Sequence, residues 1–177
     1  IPRFWSVVNE DIRKMKVGMA WLLTCRGIPQ MYYGMEVLMP GLTSPNDGHV
    51  RKDFPGGWPG DTKNAFTGQG LTTQEKEFLE YTRGLAMFRK NSSAIKTGKM
   101  TQFVPQDGVY VYFRHDDEQT VMVVMNTQNE EKTLDLERFN EITHRFLIAK
   151  DATSTGSLDL KGLWQVPAMT CWVLELK

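Results

Sequence analysis

The side chains of this 177-residue sequence that could bind a metal or activate a nucleophile are its 3 histidines, 2 cysteines and 21 carboxylates. Their spacing supports neither chemistry. His49, His115 and His144 fall on a loop, a turn and a strand edge, with no cysteine nearby and no metal-ligand spacing. No nucleophile elbow accompanies any serine. Asp116-Asp117-Glu118 reads as a solvated hairpin turn rather than a calcium site. Gly68-Gln69-Gly70 follows no strand and lacks a third glycine, so it reads as a plain turn. Cys25 and Cys171 sit in apolar stretches and read as two free thiols. No metal and no cofactor is expected.

Lys plus Arg and Asp plus Glu both total 21, so the chain lacks the electrostatic footprint of a nucleic-acid binder, and no basic stripe is interleaved with aromatics. A ligand held by shape, hydrogen bonds and aromatic stacking fits better, and sugars are one such class. No apolar run approaches the roughly 20 residues of a membrane span, and the first residues do not read as a signal peptide. Ile1-Pro2-Arg3-Phe4-Trp5 starts without Met, straight into apolar and aromatic sequence, which reads as the middle of a longer chain.

The elements that would position any site change character along the chain. Asn9 is a candidate N-cap, and Ile12, Met15, Met19, Leu22 and Leu23 recur at helical spacing until Gly27 ends the pattern. Ile28 to Tyr33 is short and apolar, a candidate buried strand of parallel type. From Met35 to Leu71 no period survives, and Pro40, Pro45, Pro55 and Pro59 punctuate the stretch. A loop of this length inside a domain is functional or disordered, and Phe54, Trp58 and Phe66 argue against disorder. Thr72-Thr73-Gln74-Glu75 spells a capping box, with Phe78, Leu79, Thr82, Leu85, Ala86 and Phe88 lining the helix it opens.

After about Thr97 the period becomes two. Val109–Arg114 and Thr120–Met125 predict a hairpin. Further strands are predicted at Gly98–Val104, Lys132–Leu136, Arg145–Ile148, Leu158–Leu160, Leu163–Val166 and Thr170–Leu176, in all the pattern of an antiparallel sandwich. Trp164 and Trp172 fit its core, and a sugar-binding surface there is the competing use.

Three strings carry a resemblance. Gly27-Ile28-Pro29-Gln30-Met31-Tyr32-Tyr33-Gly34-Met35-Glu36 resembles the eighth barrel strand of the α-amylase family of glycoside hydrolases. Ile1-Pro2-Arg3-Phe4 resembles the tail of that family's Asn-His-Asp-x-x-Arg-Phe motif. Asp47-Gly48-His49-Val50-Arg51-Lys52-Asp53-Phe54-Pro55-Gly56-Gly57-Trp58 resembles the loop after strand eight in the cyclomaltodextrinase and neopullulanase branch.

The resemblance implies an α/β part followed by an all-β part. Residues 1–96 would end the catalytic (β/α)8 barrel with helix seven, strand eight, a long loop and helix eight, and residues 97–177 would form the antiparallel β-sandwich called domain C. It implies a retaining hydrolase of cyclodextrin, maltodextrin or pullulan whose three catalytic acids all precede Ile1, so no catalytic residue is assigned in this chain. Arg51 and Asp53 would hydrogen-bond sugar hydroxyls and Trp58 would offer a flat face to a glucose ring; in the plainer alternative Arg51 and Asp53 pair with each other while Trp58 caps the barrel. Arg3 would hold the loop carrying the last of the absent acids, and Glu36 would orient loop backbone.

The implied partners are an α-glucan oligosaccharide and the preceding part of the same protein, with no nucleic acid and no membrane. An uncovered barrel end would make the isolated chain self-associate. The compartment stays open, with a lean toward periplasmic or secreted forms. The reading from a different class is a non-catalytic carbohydrate-binding or structural β-sandwich module.

Overall fold

A computed structural model describes every residue from Ile1 to Lys177. β-Branched and aromatic residues dominate the second half, and there they form eight strands: β1 (Lys99–Gln102), β2 (Val109–His115), β3 (Thr120–Asn126), β4 (Lys132–Asp135), β5 (Ile148–Asp151), β6 (Ser157–Asp159), β7 (Leu163–Val166) and β8 (Thr170–Leu176). Six of them make one sheet in the order β1-β2-β3-β8-β5-β6, while β4 and β7 make a second. Every ladder is antiparallel. The predicted hairpin pairs Val109 with Asn126 through to His115 with Thr120. Its turn is closed by Asp116, whose Oδ1 accepts the amides of Glu118 at 3.0 Å and Gln119 at 2.8 Å.

One core joins the two sheets. Phe113, Met122, Val124, Ala149 and Leu174 of the large sheet share it with Leu134, Trp164 and Val166 of the small one. Phe103 and Phe139 meet edge-on inside it, with ring centroids 4.8 Å apart. Asn126, fully buried, ties β3 to the end of β7 by donating to the carbonyls of Val166 and Pro167, both at 3.0 Å. Strand β3 is buried along its whole length, because its outer face is covered as well. The short helix α4 (Ser93–Lys96) lies there against β2 and β3, with Ser92 Oγ capping the Ile95 amide at 3.1 Å.

The other helices are α1 (Phe4–Val7), α2 (Ile12–Thr24), α3 (Thr73–Asn91) and α5 (Asn140–Thr143). Met15, Met19 and Leu23 of α2 are buried, as their spacing of four predicts. The cap of α2 differs from the expectation. Asn9 and Glu10 both turn to φ 56°, leaving the helix to start later, and Asp11 Oδ1 accepts the Arg13 amide at 2.9 Å in Asn9's stead. Helix α3 opens on the expected reciprocal cap: the Thr72 amide donates to Glu75 Oε2 at 2.7 Å and the Glu75 amide to Thr72 Oγ1 at 3.2 Å.

Ile28–Tyr33, expected as a parallel strand, is irregular and belongs to neither sheet. A strand exists only where another strand takes up its backbone hydrogen bonds, and none in this chain lies beside it. Likewise Arg145–Leu147 is not strand; the turn that follows α5 delays β5 to Ile148.

By internal contacts the chain divides into two units, with two of the divisions inside the long helices and one between Pro29 and Gln30. Residues 1–15 with 30–83 form a loop unit, and residues 16–29 with 84–177 form a sheet unit. No helix is long and apolar enough to cross a membrane.

Candidate functional site in the long loop

The loop unit is ordered around Arg3. Its side chain is 5% exposed, its Nε donates to the Val50 carbonyl at 2.8 Å, and one terminal nitrogen donates to the Tyr33 carbonyl. The guanidinium also lies over the rings of Tyr32 and Tyr33, at 4.7 and 4.5 Å from their centroids. The Arg3 amide donates to the Gly41 carbonyl at 2.8 Å. Three separate stretches of loop are thus held by one residue. Gly41 has to be glycine at this junction, since a Cβ would stand 2.6 Å from the His49 carbonyl and 3.0 Å from Arg3 Cγ. The other terminal nitrogen of Arg3 is buried without an acceptor, and Arg3 lines a cavity of about 590 Å³ with Phe4, Val7, Tyr32, Met39 and Asp47.

Directly after Val50 the chain is exposed. Arg51, Asp53 and Trp58 are all exposed, Trp58 at 63%. The structure does not pair Arg51 with Asp53; Arg51 Nη2 instead lies 3.8 Å from Asp47 Oδ2 across one turn of 3-10 helix, a loose and solvated pair. The Tyr33 hydroxyl donates to the Lys52 carbonyl at 2.9 Å and holds this segment down. Glu36 is half-buried in the 3-10 turn after Gly34.

Two side-chain-closed turns follow. Asp61 Oδ2 accepts the amides of Gly56 at 2.8 Å and Trp58 at 3.2 Å. Asn64 Oδ1 accepts those of Phe66 at 2.9 Å and Thr67 at 3.1 Å. The Ala65 amide donates to the Pro55 carbonyl at 3.0 Å and joins them. Phe54 anchors the loop against Val37, Met39 and Ala65. Lys63 Nζ reaches Glu75 Oε1 at 2.7 Å, so the loop's end is fastened to the cap of α3. Burial would raise the Glu75 carboxyl, but the hydrogen bonds from Lys63 and Thr72 outweigh it and hold the group below its ordinary range.

The closing residues Asp61 and Asn64 were missed in the sequence; Asp61 directly after Pro59-Gly60 is a turn signal that could have pointed to the first, while Asn64 between Lys63 and Ala65 carries no such signal. Arg3 carries more of the loop than one string suggested, because its acceptors lie 30 and 47 residues away. In the sheet unit Trp164 is 7% exposed and donates its Nε1–H to the Asp159 carbonyl at 2.9 Å, with Trp172 edge-on at 5.9 Å. Trp164 is therefore core rather than a sugar-binding surface. Both cysteines are free, and burial pushes the Cys171 thiol far above its ordinary range. No group of three His, Cys, Asp or Glu side chains is placed to hold a metal ion.

Residues 100–175 match the cyclo-malto-dextrinase C-terminal domain. The chain is 32% identical over 131 residues to a cyclomaltodextrinase of Geobacillus thermopakistaniensis, an alignment covering 73% of this chain and 20% of that protein. It is 29% identical over 129 residues to a maltogenic α-amylase of Bacillus acidopullulyticus, covering 71% of this chain and 19% of the relative. In fold it is similar to an α-amylase of Geobacillus thermoleovorans solved with acarbose, at TM-score 0.72 and 19% identity, over 99% of this chain and 36% of that one. Residues 100–175 are thus a cyclo-malto-dextrinase C-terminal domain, and the chain as a whole is similar to α-amylase family enzymes. It spans about a fifth of the length of these curated relatives, 20% and 19%.

Proposed function

We propose that this chain is the C-terminal part of a retaining α-glucan hydrolase acting on cyclodextrin, maltodextrin or pullulan. On this reading residues 1–96 end the catalytic (β/α)8 barrel, the loop from Met35 to Leu71 forms one wall of the substrate site, and residues 97–177 are a stabilising domain. The observation that carries it is Trp58, 63% exposed on a turn whose backbone Asp61 closes. A large apolar ring kept in water on fixed backbone suits a partner with a flat C–H face, and a glucose ring presents one. Arg51 and Asp53 stand exposed nearby in sequence and supply a donor and an acceptor for sugar hydroxyls. Relatives named as cyclomaltodextrinase and maltogenic α-amylase support α-glucan as the substrate class.

A retaining mechanism needs two carboxyl groups about 5 to 5.5 Å apart, one attacking the anomeric carbon and one protonating the leaving oxygen. This chain contributes neither; it shapes the pocket in which they work. The rest of the enzyme covers the cavity beside Arg3, fills its apolar lining and supplies an acceptor to the unpartnered guanidinium nitrogen. Without that cover Phe4, Val7, Tyr32 and Tyr33 are exposed, and the isolated chain self-associates. The branch's loop sequence favours a periplasmic or secreted setting.

The 177-residue chain is expected to release no glucose from maltodextrin, and Trp58→Ala in the whole enzyme is expected to lower kcat/KM by roughly tenfold. Hydrolysis by the chain alone would overturn the division of labour. Unchanged kinetics of the whole enzyme with Trp58→Ala would overturn the wall. Light scattering that finds a dilute monomer would count against the covered face.

A further inference from the structure

We infer that Phe66 is a second sugar-stacking ring of the same wall and fixes, together with Trp58, the path of an α-glucan chain across the loop. The inference rests on the reading of Trp58 as a substrate contact. Phe66 is 75% exposed, the most open aromatic ring in the chain. It is nevertheless not loose. Its amide is held by Asn64 Oδ1 at 2.9 Å, and its ring leans on that of Phe54 at a centroid distance of 5.3 Å and a tilt of 57°. Phe54, half-buried, in turn packs on the small core of Val37, Met39 and Ala65. A ring backed by a core residue on one side and open to water elsewhere is a preformed platform, and little conformational freedom is lost when a ligand settles on it.

The two turns that carry the rings touch at Gly56 and Asn64. A Cβ built on Gly56, which adopts φ 97°, would stand 2.7 Å from Asn64 Cγ and Oδ1, so the base of the Trp58 turn lies directly on the base of the Phe66 turn. Each ring sits two residues from that junction, and two residues reach at most about 7 Å. Both rings are therefore within the compass of a single oligosaccharide. Successive α-linked glucoses present apolar C–H faces along the chain, so a helical or cyclic glucan meets both rings, and a ligand of one or two glucose units meets only one.

The test is a titration of the 177-residue chain with millimolar maltoheptaose and with maltose, followed by amide chemical shifts, for the native sequence and for Trp58→Ala, Phe66→Ala, Phe66→Leu and Phe66→Tyr. Phe66→Leu keeps an apolar contact with Phe54 and removes the flat face. Phe66→Ala and Phe66→Leu are each expected to weaken maltoheptaose binding by roughly two- to tenfold and to leave maltose binding nearly unchanged, while Phe66→Tyr binds as the native chain does. If Trp58→Ala weakens binding and both Phe66→Ala and Phe66→Leu do not, Phe66 is no part of the site and the inference fails alone. It also fails if Phe66→Leu binds as well as the native chain, since the ring would then serve packing. If neither position matters, or the native chain does not bind, the reading of Trp58 fails and takes this one with it.

Discussion

The phenol of Tyr112 donates to the hydroxyl of Thr24 at 2.5 Å, a buried bond between residues 88 apart in sequence. The direction follows from the single Thr24 proton, which goes to the Ala20 carbonyl at 2.6 Å and leaves only the oxygen's lone pairs for Tyr112. Burial pushes the Tyr112 phenol far above its ordinary range, so it stays a donor. Tyr112→Phe should cost about 1 kcal/mol, because Thr24 keeps its own bond. Thr24→Val should cost about 2 kcal/mol, because it leaves a buried hydroxyl without an acceptor. In urea denaturation the double variant should cost less than the sum. Equal single costs would contradict the donor assignment.

Arg114 fastens the same helix end from another direction. It is 2% exposed, and it donates to the carbonyls of Thr24 and Cys25 and to that of Gly98, each at 3.0 Å. Burial, and then the charge of Arg89, lower its guanidinium from the ordinary value, and only carbonyl oxygens compensate it. Arg89 donates to the Leu23 carbonyl at 2.8 Å and the Gly27 carbonyl at 2.9 Å, in a more open setting. Arg114→Met should therefore destabilise by about 3 kcal/mol and Arg89→Met by about 1 kcal/mol. Calorimetric melting that ranks them the other way would show that the buried charge costs more than its carbonyls return.

The cap of α2 predicts an acid limb. The Arg13 side chain, by hydrogen bond first, lowers the Asp11 carboxyl to about 2, and the Arg13 amide adds to it. A carboxyl whose folded pKa lies below its unfolded one stabilises the fold above the unfolded value, near about 3.9, and that contribution disappears as pH falls through the folded value. Asp11→Ala should cost about 1 kcal/mol at neutral pH and nothing below about pH 2. Chemical denaturation at pH 7, 4 and 2 reads the difference, and a cost independent of pH would refute the cap.

Arg3 makes a local prediction. Arg3→Met leaves the carbonyls of Tyr33 and Val50 without their donor while the backbone bond to Gly41 survives. Amide exchange should quicken by at least tenfold across Gly34–Val50 and stay unchanged in β3. A uniform change in both regions would mean that Arg3 acts on global stability rather than on the loop.

Interactions that span a few residues were legible in the sequence. Thr72 and Glu75 spell their reciprocal cap because its four residues lie on one turn, and Met15, Met19 and Leu23 are buried because a helix stacks residues four apart. Short β-branched and aromatic runs between turn signals announced the antiparallel strands, although the fifth begins at Ile148, where the predicted one ended. Other features had no local signature. The carbonyls that Arg3 meets and the irregular path of Ile28–Tyr33 depend on which distant backbone arrives alongside. A side chain's type states what it can bond to, and a strand's composition states that it can pair. Which oxygen and which neighbour are present is decided only when the chain has closed on itself, and in this protein that closure is what leaves Trp58 and Phe66 facing water.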